Sequence, residues 1–259
     1  MGDLGRGMLY PDEQAAFVDL DRHDPGPEVA RFVEFYWHVR WNVAEPYETK
    51  VLTHPNVHLV FEEPEPQVYG VNRGLFVRRL EGRGQVLGVK FRPGCFRPFT
   101  GVRVADLADR RVPAARFFGP AVVETCRAVL RAGGPAEMVA RAEEFLLPRL
   151  PAPDPVAEQV AGMVERITAS PALFRVDQAA AALHVSVRTL QRLFAEYVGA
   201  GPKWVMRRAR LHEAAARADR GDDVDWAALA DDLGYCDQSH LIRDFTAAVG
   251  VPPARYARS

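Results

Sequence analysis

The sequence predicts an α+β chain in two parts: a β-rich domain over residues 1–150 that closes with two helices, and an all-α domain over residues 156–259. Three observations carry this. Across residues 31–91, short β-branched and aromatic runs alternate with Pro, Gly and Asn. After residue 121 the apolar spacing becomes helical. Between the parts stands PAPDP, residues 151–155, whose prolines cannot continue a helix and whose polar character suits a linker.

The strand-like runs fall at residues 51–53, 57–61, 68–71, 75–80 and 86–91. Gly82-Arg83-Gly84, between the last two, suits a hairpin loop because glycine tolerates the positive φ of tight connections. Val122, Val129 and Leu130, then Met138, Ala142, Phe145 and Leu146, define two helices separated by Gly133-Gly134-Pro135. Beyond the linker, Val156, Val160, Met163, Val164 and Ile167 make one apolar helix face.

Two similar segments follow. In residues 176–199 an alanine-rich helix over 177–183 ends near His184-Val185. Ser186 then stands as N-cap of a second helix reaching about residue 198. Leu190, Leu193, Phe194 and Tyr197 share its inward face, while Arg188, Gln191 and Arg192 lie opposite. Arginine can donate twice to guanine O6 and N7, and glutamine can pair with adenine N6 and N7, so this face suits a major groove. The competing reading is an ordinary solvated helix face.

In residues 225–256 a short helix, 226–233, stops at Gly234, and Asp237 caps the next. Leu241, Ile242, Phe245, Ala248 and Val249 give that helix its buried side. Ser239 and Arg243 face outward, and Gln238 reaches outward from the first turn. Pro202 opens a longer helix, KWVMRRARLHEAAARA, which sets the spacing between the two units.

Two helix-turn-helix units joined by a connecting helix, with SVRTLQRLF, RLHEA, LGYCDQSHLIRDF and a closing GVPPARY, resemble the DNA-binding domain of the AraC/XylS family over about residues 156–258. The resemblance implies a sequence-specific transcription regulator that inserts two recognition helices into successive major grooves. It implies base reading by Arg188, Gln191, Arg192, Gln238, Ser239 and Arg243. Phosphate contacts are expected from Ser186, Lys203, Arg207, Arg208, Arg210 and His240. Double-stranded DNA and RNA polymerase are the implied partners, and neither a cofactor nor a catalytic activity is expected. In this family the first domain is commonly a cupin-like barrel that binds a small-molecule effector or forms a homodimer. Arg92-Pro93-Gly94, with Ala105-Asp106-Leu107 beyond, is similar to the first domain of some actinobacterial-type members.

Charge is neutral in total and uneven locally. The formal net charge of −1 excludes a uniformly basic nucleic-acid coat and an acidic tail. Residues 186–220 hold eight basic against three acidic side chains, whereas residues 221–237 hold six acidic and no basic ones. The first stretch therefore suits phosphates, and the second repels them.

Other functions find little footing. A DNA-alkylation repair protein of the same family needs a four-cysteine zinc cluster, and Cys95, Cys126 and Cys236 do not supply it. A partner-binding protein whose units no longer read DNA stays open on the acidity of the second unit. His54 and His58, read as one strand, would stand about 13 Å apart, too far for one metal ion. Trp37 and Trp41 read as core, and no nucleophile-base set or phosphate loop is present. No apolar run approaches a membrane span, and no secretory leader is recognisable, so a cytoplasmic location is expected.

Overall fold

Two long paired strands organise the N-terminal domain. The computed structural model describes residues 7–170, 173–220 and 224–258. In chain order the first half holds α1 (Pro11–Ala15), β1 (Val18–His23), β2 (Val33–Leu52), β3 (His58–Phe61), β4 (Gln67–Tyr69), β5 (Leu75–Phe91) and α2 (Arg97–Thr100). A 3₁₀ turn at Val104–Leu107, β6 (Arg111–Pro113), α3 (Ala115–Phe118), α4 (Ala121–Leu130) and α5 (Pro135–Leu146) complete it. Among the described residues the strands form one antiparallel sheet in the order β1-β2-β5-β3-β4-β6. β1 and β6 are its edges, so the expected β-rich domain is present but its sheet does not close into a barrel.

The sequence reading of a hairpin at Gly82-Arg83-Gly84 is corrected: β5 runs unbroken through it, paired with β2 from Leu52↔Leu75 to Val33↔Phe91. The irregularity lies on the partner strand instead, where the register shifts between Val43 and Tyr47. Two glycines of β5 serve packing rather than turning. A Cβ at Gly84 would lie 2.3 Å from the Trp41 ring, and one at Gly88 would lie 1.9 Å from that of Trp37. The two indoles thus occupy the sheet face that the glycines leave bare. The far half of the β2–β5 ribbon bends toward the same face, bringing Arg78 Nη1 to Glu62 Oε2 at 2.6 Å and Phe76 to within 6.1 Å of Tyr69. The other face, with Tyr36, Leu59, Phe61, Val68, Leu87 and Val89, packs under α4 and α5 through Val122, Val129, Met138 and Phe145.

HPNVH is not one strand. His54 lies in the loop after β2, and His58 opens β3, where its Nδ1 accepts from Trp37 Nε1 at 3.0 Å. Burial, with Lys90 nearby, pushes the His58 imidazole down to about 3, so it is neutral.

The helical half begins at α6 (Pro155–Ala169), capped by Asp154, whose Oδ1 accepts from the Val156 and Ala157 amides. It continues with α7 (Val176–Ala182), α8 (Val187–Leu193), a wide turn at Phe194–Val198, α9 (Pro202–Asp219), α10 (Trp226–Asp232), α11 (Gln238–Val249) and α12 (Pro253–Tyr256). The two helix-turn-helix units are closed by matching hydrogen bonds. In the first, Val185 N donates to Ala180 O and His184 N to Ala181 O; in the second, Tyr235 N donates to Ala230 O and Gly234 N to Asp231 O. His184 and Gly234 hold the left-handed position at φ 56° and 67°.

The cores of the two halves are not sealed from each other. Ala200 joins the cluster under the sheet, and Leu9 and Leu52 join the cluster of the second unit with Leu211, Leu229, Leu241 and Phe245. No helix among the described residues is long and apolar enough to cross a membrane.

Candidate nucleic-acid interface

Local sequence fixes both outward-facing helices, α8 and α11. Ser186 Oγ accepts from Thr189 N at 3.0 Å at the start of α8, and Asp237 Oδ1 accepts from His240 N at 2.7 Å at the start of α11. Leu190 and Leu193 on α8, like Leu241, Phe245 and Val249 on α11, are buried. The side opposite each stripe is therefore presented outward. There Arg188, Gln191 and Arg192 stand exposed on α8, and Gln238, Ser239 and Arg243 on α11. Arg188, Arg192 and Arg243 enter no ion pair among the described residues, so their guanidinium groups are available to a ligand.

A family model described as a helix-turn-helix domain matches residues 179–259, spanning both turns, the connecting helix and both outward faces. Residues 179–259 thus form a helix-turn-helix domain. A second family model, described as a domain of unknown function, matches residues 21–113, most of the sheet. Among solved structures the chain is similar to ToxT from Vibrio cholerae O395, with 9% identity and a TM-score of 0.39 over 93% of this chain and 96% of that one. It is also similar to unsaturated fatty acid bound ToxT from strain SCE256, with 9% identity and a TM-score of 0.36 over 99% and 97%. No curated protein matches.

Within this domain the expected phosphate contacts separate into three groups. Lys203 is exposed, and Ser186 is exposed while serving as a cap. Arg207, Arg210 and His240 are half-buried. Arg207 Nε donates to Asp244 Oδ2 at 2.8 Å, Arg210 lies over the Tyr235 ring at 5.0 Å, and His240 meets that ring edge-on.

Arg208 corrects the sequence reading: it is 3% exposed and faces the N-terminal domain, not solvent. Its Nη2 donates to Arg73 O at 2.7 Å and Gly74 O at 3.3 Å, and its guanidinium lies over Trp204 at 4.6 Å. Trp204 Nε1 donates to the same Arg73 carbonyl, and Asp109 fixes Arg73 from behind through its backbone N and Nε. Burial, with Arg207 adjacent, pushes Arg208 down to about 10. Helical periodicity could not reveal this, because the covering surface comes from a loop more than 130 residues earlier in the chain.

The acidic second unit is also partly resolved. Asp225 and Asp237 are N-caps whose carboxylates accept backbone amides, which offsets part of their formal charge. Asp222 and Asp223 lie outside the described residues.

Two features escaped the sequence reading. Val187 is an exposed apolar side chain at the first position of α8, beside Arg188. Glu196, just beyond α8, pairs with Arg97 of the N-terminal domain. An apolar residue directly after an N-cap was a legible signal for the first; no local pattern marks the second.

Proposed function

We propose that α8 and α11 enter successive major grooves of one duplex, with Arg188, Gln191 and Arg192 reading bases in one groove and Gln238, Ser239 and Arg243 in the next. The observation that carries this is the shared construction of the two helices: each is capped at its start, buried along one stripe and exposed along the other with polar groups that have no competing ion pair. Ser186 and Lys203 flank the first groove as phosphate contacts. Arg207, Arg210 and His240 act from half-buried positions that orient them, and Arg208 is left out.

The reading takes residues 1–150 as the regulatory domain, 151–155 as linker and 156–259 as the DNA-binding domain. It extends by family resemblance to RNA polymerase as a partner, a homodimer, a small-molecule effector and a cytoplasmic location, with no catalytic step. An open, polar recess of about 490 Å³ is bordered by Glu62, Tyr69, Arg78 and Arg111. Selection of bound duplexes from a random library by the full chain tests the reading. It expects two conserved blocks about one helical turn, ~34 Å, apart. One block alone, or no enrichment, refutes it.

A further inference from the structure

Both units meet the N-terminal half, the second through Leu9 and Leu52 in its core, but the two reading helices are fixed by different polar contacts. On α11, Asp244 is tied to Arg207 of α9, inside the same domain. The first reading helix ends in the wide turn at Phe194–Val198, where Gly199 N donates to Phe194 O at 2.9 Å across five residues. Such π-type turns sit at functional positions more often than chance because their looser geometry must be held by surroundings.

Phe194 and Val198 pack in the helical domain's own core, while Glu196, Tyr197 and Gly199 meet the N-terminal domain and the linker. Arg97, the first residue of α2, reaches Glu196 Oε1 through Nε and Nη2, both at 2.8 Å, and both side chains are about three-quarters covered. The same guanidinium lies 5.9 Å from the centre of the Tyr197 ring, whose hydroxyl donates to Asp154 Oδ2, the cap of α6. Gly199, at φ 91°, lies so close to the 3₁₀ turn that a Cβ would be 2.9 Å from Val104 Cγ1. Ala200 then enters the core beneath the sheet. Four consecutive residues after α8, from Glu196 to Gly199, thus include three gripped from outside the domain that reads DNA.

We propose that Arg97 is a positioning residue for DNA recognition, setting the pose of α8 through Glu196, so that α2 of the N-terminal domain acts on the first unit in particular. This rests on the reading of α8 as base-reading. A change in α2 or the 3₁₀ turn then acts first on the half of the recognition site that α8 reads.

The test uses the full chain as Arg97→Ala, Glu196→Gln and the charge exchange Arg97→Glu with Glu196→Arg. In the free protein, amides 194–200 of both single variants exchange hydrogen about 10-fold faster, and the exchange variant restores protection. On DNA, the single variants weaken binding about 5-fold. They flatten base preference only at positions read by the first unit, with partial rescue by the charge exchange. Unchanged amide protection, or equal loss of preference in both blocks, overturns the proposal. If the wild-type chain selects no duplex, the reading of α8 fails, and the exchange measurement alone then decides whether Arg97 holds the turn.

Discussion

Arg207 on the connecting helix donates through Nε to Asp244 on the second reading helix at 2.8 Å, and this pair fixes α11 against α9. A base first expected at phosphate is thereby committed to orientation. Both members are only partly covered, so the pair contributes about 1 kcal/mol. A double-mutant cycle of Arg207→Ala and Asp244→Ala on DNA affinity should show a coupling of that size, with discrimination lost at second-unit positions. Strict additivity would mean that Arg207 acts on phosphate alone.

Arg208 and Lys203 should separate cleanly by salt dependence. Lys203→Ala removes a phosphate contact and lowers the slope of log affinity against log salt by about 0.9. Arg208→Met leaves that slope unchanged but removes the donor to Gly74 O and leaves Arg73 O with Trp204 Nε1 alone, destabilising the folded chain by about 1–2 kcal/mol. Affinity titrations at several salt concentrations, with thermal melts alongside, check both.

The turn residues of the two units predict opposite responses. His184 holds a left-handed backbone at a cost of about 1 kcal/mol, so His184→Gly should raise the melting temperature. Gly234→Ala should lower it, since its Cβ would meet the Phe174 ring at 1.9 Å as well as adopting a positive φ. Adding Phe174→Ala should restore part of the loss.

The helical half was legible because its signals are local. Caps at Ser186 and Asp237, stops at His184 and Gly234, and the buried stripes all follow from spacing within a few residues. The sheet was less so. Gly82 and Gly84 look like a turn in sequence, yet in β5 one of them makes room for Trp41, a residue more than 40 positions away. β1 escaped notice because VDLDRH offers few apolar residues, and it gains its place by pairing with β2. The roles of Arg208 and Glu196 were hidden for the same reason, since their partners come from the other half of the chain.

His58 predicts a pH dependence. Its conjugate acid is disfavoured in the fold, with the value lowered from about 6.5 to about 3, so the stabilisation is complete above pH 6.5 and is lost as pH falls from there toward 3. Below pH 6.5 the chain should lose up to about 1.4 kcal/mol per pH unit through this group. His58→Gln, which keeps an acceptor for Trp37 Nε1 without a titrating ring, should flatten that part of the stability curve. Denaturant melts between pH 4 and 7 measure it, and parallel curves for the two proteins would assign the acid limb to other groups.

If exposed side chains on the two reading helices specify the DNA site, the basic stretch at residues 186–220 gives the first unit most of the affinity. The most direct measurement titrates the wild-type chain, Arg192→Ala and Arg243→Ala against the selected duplex and its single-base variants. Arg192→Ala should cost more than Arg243→Ala and should erase about 1–3 kcal/mol of discrimination at one or two positions in one block. An unchanged ranking of the variants by Arg192→Ala, or a larger loss from Arg243→Ala, would contradict it.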